Sequence, residues 1–171
     1  MRPIIWTHGI QTYSVFIKMV ENQQPTQLST AVLYDTDFMA WCETQANLLR
    51  THNYDQLDHA NLLEELEDMG REQFRKTLSL VRQIIIHILQ VQTFPSDQAC
   101  HHWRSEVVAF QNDLEDVVSG SIRHRFEQQE AFNTQQQKAL RQLSKKYPET
   151  TFQTLEKMSL DELIHWSDPD Q

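Results

Sequence analysis

From Asp58 to Thr93 the chain meets no proline and one glycine, Gly70, while Leu62, Leu63, Leu66, Phe74, Leu78, Val81, Ile84, Ile85 and Ile88 recur at helical intervals. At 100° per residue these side chains gather on one broad side of a helix, and that side is the expected core. Asp55 or Asp58 is suited to begin the helix, because either carboxylate can accept hydrogen bonds from the first free backbone N–H groups. Gly70 falls within the apolar band, where it either lets another helix approach or weakens the element by about 1 kcal/mol relative to alanine. A kink is expected there.

The rest of the chain is consistent with this element. Three glycines and five prolines in 171 residues are too few for the many turns of a β-rich or α/β domain. Before the long helix, Phe38, Trp41, Cys42, Ala46 and Leu49 mark a first helix with Arg50 at its end, and "RTHNYDQ" reads as a turn. After it, Pro95 ends the element and Ser96 is a suitable cap for a third helix. That helix carries Trp103, Val107, Phe110, Leu114 and Val117 and packs back antiparallel. Gly120 breaks the chain again before a glutamine-rich helical region whose middle, "EQQEAFNTQQQK", is expected to be exposed or interrupted. Ser159 and Glu162 form a capping box for a short last helix ending near Trp166. The expectation is an all-α fold, an antiparallel bundle of four to six helices with one long, kinked second helix.

That bundle is expected to occupy residues 31–171. Residues 1–30 read as an N-terminal extension, either disordered or a mis-assigned start. Ile4, Ile5, Tyr13, Val15, Phe16 and Ile17 lean toward strand composition, "ENQQPTQLST" is a polar linker, and Met19 is a candidate true start.

Charge and composition narrow the function classes. Fifteen Lys and Arg against twenty-four Asp and Glu give a net charge of −9, a balance that repels nucleic acid and anionic membrane unless basic residues are segregated. The one concentration, Lys138, Arg141, Lys145 and Lys146, falls near the end of a helix, where cations complement the helix dipole. No signal peptide is expected, because Trp6, His8, Gln11 and Thr12 interrupt the opening stretch, and no membrane span, because Arg82 and His87 interrupt "LVRQIIIHILQV", the most apolar run. Cys42 and Cys100 lack metal-type or scaffold spacing, which suits a reducing cytoplasm.

The order "LYDTDFMAW", "LLR", "LDHANLLEELEDMGRE", "IIHILQVQ" before Pro95, and then Trp103-Arg104, resembles one family. It is the bacterial, chiefly cyanobacterial, family catalogued as domain of unknown function 29. The resemblance runs from about Thr30 to the C-terminus, with Tyr34, Asp37, Phe38, Trp41, Leu57, Asp58, Asn61, Glu64, Glu65, Gly70, His87, Gln92, Pro95 and Trp103 among its markers. It implies a helical bundle and supplies no activity. The sequence departs from the family pattern at Gln90-Val91, where Lys-Trp is usual, and at His102, where Ser is usual.

Two groups of residues are candidates for chemistry. Measured around the long helix from Leu62, Glu65 lies at ~300°, Asp58 at ~320° and Asn61 at ~260°, so the three share a stripe beside the core that could meet a ligand or partner. Glu64, Glu67 and Asp68 point to solvent, and Glu67 can pair with Arg71 one turn on. His87, on the edge of the apolar band, lies roughly 33 Å from Glu65 along the helix axis. Across the hairpin at Pro95 it can instead approach Cys100, His101 or His102, and histidine and thiolate ligands of that kind suit a divalent metal. A di-iron-type bundle is disfavoured, since the chain has one Glu-x-x-His pair, Glu162 with His165, and such a site needs two. Nucleophile motifs such as GxSxG and HExxH are missing, and Tyr34, Phe38, Trp41 and Trp103 read as core aromatics.

The leading expectation is a cytoplasmic helical protein that acts by binding a protein partner, as an interaction or regulatory accessory factor, with no cofactor, nucleic acid or membrane involved. The alternative is a metal-dependent enzyme, a hydrolase for instance, using His87 with His101 or His102.

Overall fold

A computed structural model describes residues 30–169. These residues form seven helices and no strand: α1 (Thr30–Thr36), α2 (Phe38–Arg50), α3 (His59–Thr93), α4 (Cys100–Val117), α5 (Gly120–Gln128), α6 (Ala131–Lys146) and α7 (Leu160–Ile164), with a 3-10 turn at Tyr54–Gln56. The chain is all-α, as the scarcity of turn residues requires. Contacts divide it into two compact units, one ending at Leu66 and one beginning at Glu67, with α3 running through the boundary. The expectations for the N-terminal extension and for Met19 fall, apart from Thr30, outside the described residues.

In the first unit, Asp37 both closes one helix and opens the next. Its N–H donates to the Leu33 carbonyl at 2.8 Å, and its side chain accepts from the Ala40 N–H at 3.0 Å. Helix α2 ends in a two-bond closure: His52 N–H reaches the Leu49 carbonyl at 3.2 Å and Asn53 N–H reaches the Leu48 carbonyl at 2.9 Å. This puts His52 at φ 60°, in the left-handed position glycine usually takes after a helix. The Asp58 carbonyl then accepts the first bond of α3 from Leu62 N–H at 2.9 Å, and its side chain accepts a longer one from Asn61 N–H at 3.4 Å. Of the two candidate starters, Asp58 is the one used.

Helix α3 is uninterrupted at Gly70, and a β-carbon placed there would meet no atom within 4 Å. The glycine thus neither breaks the helix nor admits a close neighbour. The two ends of α3 differ in environment. Between Ile84 and Val91 every residue is buried except His87, which is half-buried, as befits a helix end that is apolar nearly all round. Leu63 and Leu66, expected in the same core, are 60% and 65% exposed. Periodicity marks a side of a helix as apolar but does not supply something to cover it.

The second unit is organised around that buried end. Phe74, Val81, Ile84, Ile85 and Ile88 of α3 pack with Val107 and Leu114 of α4, Phe126 of α5, Phe132, Ala139 and Leu143 of α6, and Leu160 and Leu163 of α7. Ser96 does not cap the third helix. Pro95 is followed instead by a turn in which the Asp97 side chain accepts from Ala99 N–H at 2.7 Å and the Asp97 carbonyl from Cys100 N–H at 2.9 Å, so α4 starts three residues later than Ser96 suggested. The glutamine-rich region is interrupted at Gln129–Glu130, but Gln135 and Gln136 are buried. Gln136 accepts from the N–H of Leu155 and donates to its carbonyl, so one side chain completes the backbone bonding of an irregular segment. Gln111 does likewise, donating to the carbonyls of Leu163 and Trp166 at 2.9 and 2.8 Å. The Ser159–Glu162 capping box is present as expected.

Candidate functional site

The stripe of Asp58, Asn61 and Glu65 meets α1 and α2 through the acids themselves. Tyr34 of α1 donates its hydroxyl to Glu65 Oε1 at 2.6 Å, and Trp41 of α2 donates its indole N–H to Asp58 Oδ2 at 3.2 Å. Asn61 donates to the same Asp58 oxygen at 2.8 Å, and the Asp58 N–H donates to Gln45 Oε1 at 2.9 Å. The stripe is thus a fastening: two carboxylates, one at the start of α3 and one within it, take up the polar ends of aromatic residues on α1 and α2. Tyr34 and Trp41 meet edge to face with centroids 5.0 Å apart, and Phe38 stacks on Trp41 at 5.5 Å.

Burial would raise the Asp58 carboxyl, but hydrogen bonds from Asn61 and Trp41 outweigh it and hold the group below its ordinary value of 3.8. A carboxylate so held, already accepting from these donors, is a poor proton acceptor near neutrality. Gln45 is 2% exposed, and its Nε2 has no partner among the described residues, the one unspent donor of this polar layer. Glu64 is exposed as expected, and Glu67 and Asp68 both pair with Arg71 on the surface.

The histidines are placed apart. His87 stacks on Phe110 at 5.8 Å, and its Nδ1 is buried without a hydrogen bond. Burial pushes the His87 imidazole below 6.5, as do the neighbouring His102 and Lys146, while Glu106 and Gln90 act in the opposite direction. His102 is largely exposed, with Nδ1 3.9 Å from Glu106. His101 lines a cavity of about 260 Å³ with Arg104, Ser105, Gln111, Trp166 and Asp168. Cys100 and Trp103 take the buried side of α4, which turns His101 and His102 outward. Among the described residues no three His, Cys, Asp or Glu side chains come together where they could hold a metal ion, so the set of His87, His101 and His102 is not assembled. Polar groups that line this cavity are engaged within the protein: Arg104 is salt-bridged to Asp168 at 2.6 Å, and Gln111 donates to the carbonyls of Leu163 and Trp166.

Sequence reasoning missed the apolar surface of the first unit. Val32, Phe38, Met39, Leu49, Tyr54, Leu63 and Leu66 are all exposed, whereas Met69 and Val108 are the exposed large apolar residues of the second unit. Phe38 and Leu49 were assigned to a core face of α2, but the buried positions there are Trp41 and Gln45, so the helix is turned relative to its hydrophobic pattern. The signal was present in the charges: residues 30–66 hold seven carboxylates against Arg50 alone, while residues 67–169 hold fifteen against twelve Lys and Arg.

No helix among the described residues is long and apolar enough to cross a membrane. Among curated proteins, none matches the chain. The chain is similar to a solved α-helical protein of unknown function from Rhodospirillum rubrum ATCC 11170, with 28% identity and a TM-score of 0.53 over 77% of this chain and 89% of the other. The family model described as Domain of unknown function DUF29 matches residues 33–167, and the chain belongs to that family.

Proposed function

We propose that the protein is a cytoplasmic interaction module whose first unit binds a protein partner. The observation that carries this reading is the set of seven large apolar side chains left exposed between Val32 and Leu66. A monomer rarely leaves such a concentration uncovered, and apolar surface rimmed by polar groups is a common mark of a protein interface. The polar layer beneath it supports the same reading. Tyr34 is bonded to Glu65, and Trp41 and Asn61 are bonded to Asp58, which gives these polar groups a structural use in joining the helices. Two free cysteines, one in each unit, are compatible with a reducing compartment. For the metal-dependent alternative, His87 with His101 or His102 would need a converging third ligand, and no such group exists among the described residues.

The test places a photoreactive phenylalanine analogue at Leu66, and in a control at Lys138, in the full chain in its native cell. The expected result is one reproducible protein adduct, identified by mass spectrometry, from position 66 and not from 138. No adduct at 66, or the same adducts at both positions, overturns the reading.

A further inference from the structure

The chemistry of the partner follows from what surrounds the exposed leucines. Leu63 and Leu66 stand three residues apart on α3 and are well exposed, so they share a face one turn long. Around α3, Leu66 stands ~100° and Leu63 ~160° from Glu65, the residue that receives Tyr34, so the two leucines face away from that contact. Phe38 and Met39 open α2 and are themselves 47% and 69% exposed. The exposed carboxylates of this unit include Asp35 on α1, Glu43 on α2 and Glu64 on α3, and Arg50 is its one Lys or Arg among residues 30–66.

We infer that this face of α3 receives an amphipathic helix of another protein, its apolar stripe on Leu63 and Leu66 and its flanks rich in Lys and Arg. This inference rests on the interaction reading above and adds the partner's chemistry. A helix laid on an apolar face anchors through side chains three or four residues apart, which is the spacing Leu63 and Leu66 present. Charge selects among occupants. A second copy would set seven carboxylates and one arginine against the same array, and an acidic helix would meet like charge on every side. A basic helix meets opposite charge on all three elements.

The experiment uses the full-length protein and three fluorescent helical peptides: one with a leucine stripe and Lys/Arg flanks, one with the same stripe and Glu flanks, and one basic peptide with serine in place of the stripe. Fluorescence anisotropy is read at low and high salt. The basic leucine peptide is expected to bind roughly ten-fold or more tighter than either other peptide, and more weakly as salt rises. Leu63→Ser with Leu66→Ser should abolish that binding with the denaturation midpoint unchanged, and Glu64→Gln should weaken it without abolishing it.

Equal binding of the basic and acidic leucine peptides, lost together in the double-serine variant, overturns the charge selection and leaves the interaction reading standing. Binding that survives the double-serine substitution, or is missing for every peptide, overturns the assignment of this face to a basic helix. The cross-linking result at position 66 then judges the interaction reading separately. Self-association that the double-serine variant abolishes assigns the face to a second copy and likewise overturns the inference.

Discussion

Residues 30–66 and residues 67–169 are made of the same kind of element and end in different states. In the second unit Ile84, Ile85, Ile88, Leu114, Phe132 and Leu163 are almost wholly removed from water. In the first, the side chain most fully enclosed besides Trp41 is a glutamine, Gln45, and most of the large apolar residues face outward. The long helix α3 belongs to both, so the contrast does not come from helix propensity. The end of α3 near Thr93 is apolar nearly all round and its start is not, and different elements stand with each. Among the described residues, two short helices and a turn stand with the start of α3 and α4 to α7 with its end, and a smaller set of elements buries a smaller share of its surface. The first unit is held by aromatic side chains fastened to carboxylates, and the second by packed aliphatic volume.

The contrast can be broken most directly by truncation. Phe132→Ala in the second unit should cost about 3–5 kcal/mol in chemical denaturation, whereas Leu66→Ala in the first should stay within about 0.5 kcal/mol. Comparable losses would show that Leu66 is as well covered as Phe132. Asp58→Ala removes a helix cap and the shared acceptor of Trp41 and Asn61, with an expected cost of about 1–3 kcal/mol, and Asp58→Asn should recover much of it. Since Asp58 is held below 3.8 when folded, its contribution is present above that pH and is lost as pH falls through the folded value. Denaturation midpoints of wild type and Asp58→Asn across acid pH check the sign.

Ser159→Ala opens the capping box of α7 and should cost about 1 kcal/mol, read by the same method. A smaller, pH-dependent effect belongs to His87. Its folded imidazole is depressed below 6.5, so the unfolded chain takes up the proton first and stability declines as pH drops from 6.5 through the folded value. His87→Leu should flatten that part of the stability profile, and a proton NMR titration should find His87 protonating below 6.5. A His87 titration at or above 6.5 would mean the ring is hydrated, against its stacking on Phe110.

Much of the fold was legible because it depends on local rules. Gly70 excepted, nothing between Asp58 and Thr93 interrupts a helix, and the element runs from His59 to Thr93. Ser159 and Glu162 form the box their spacing implies. The angles about α3 set Asp58, Asn61 and Glu65 on a common edge, and these three are half-buried where Glu64 and Glu67 are exposed. Their partners were not legible: Tyr34 lies 31 residues from Glu65 and Trp41 lies 17 from Asp58, and no local periodicity relates such pairs. Ser96 failed as a cap because Asp97, with a stronger acceptor, organised a turn first. Reading His87, His101 and His102 as a ligand set relied on their level across a hairpin. Level says nothing of direction, and α4 turns Cys100 and Trp103 inward at the expense of the two histidines.

The sequence by itself determined the all-helical character, the length of α3, the capping of its start and of α7, and the acidity that restricts which partners can approach. These follow from interactions between residues a few positions apart, whose geometry the backbone dictates. Only the tertiary structure decided that Leu63 and Leu66 are surface while Ile84 and Ile88 are core, and that Asp58 and Glu65 are fastenings. Burial is a property of what stands opposite a side chain, and that is set by distant segments of the chain.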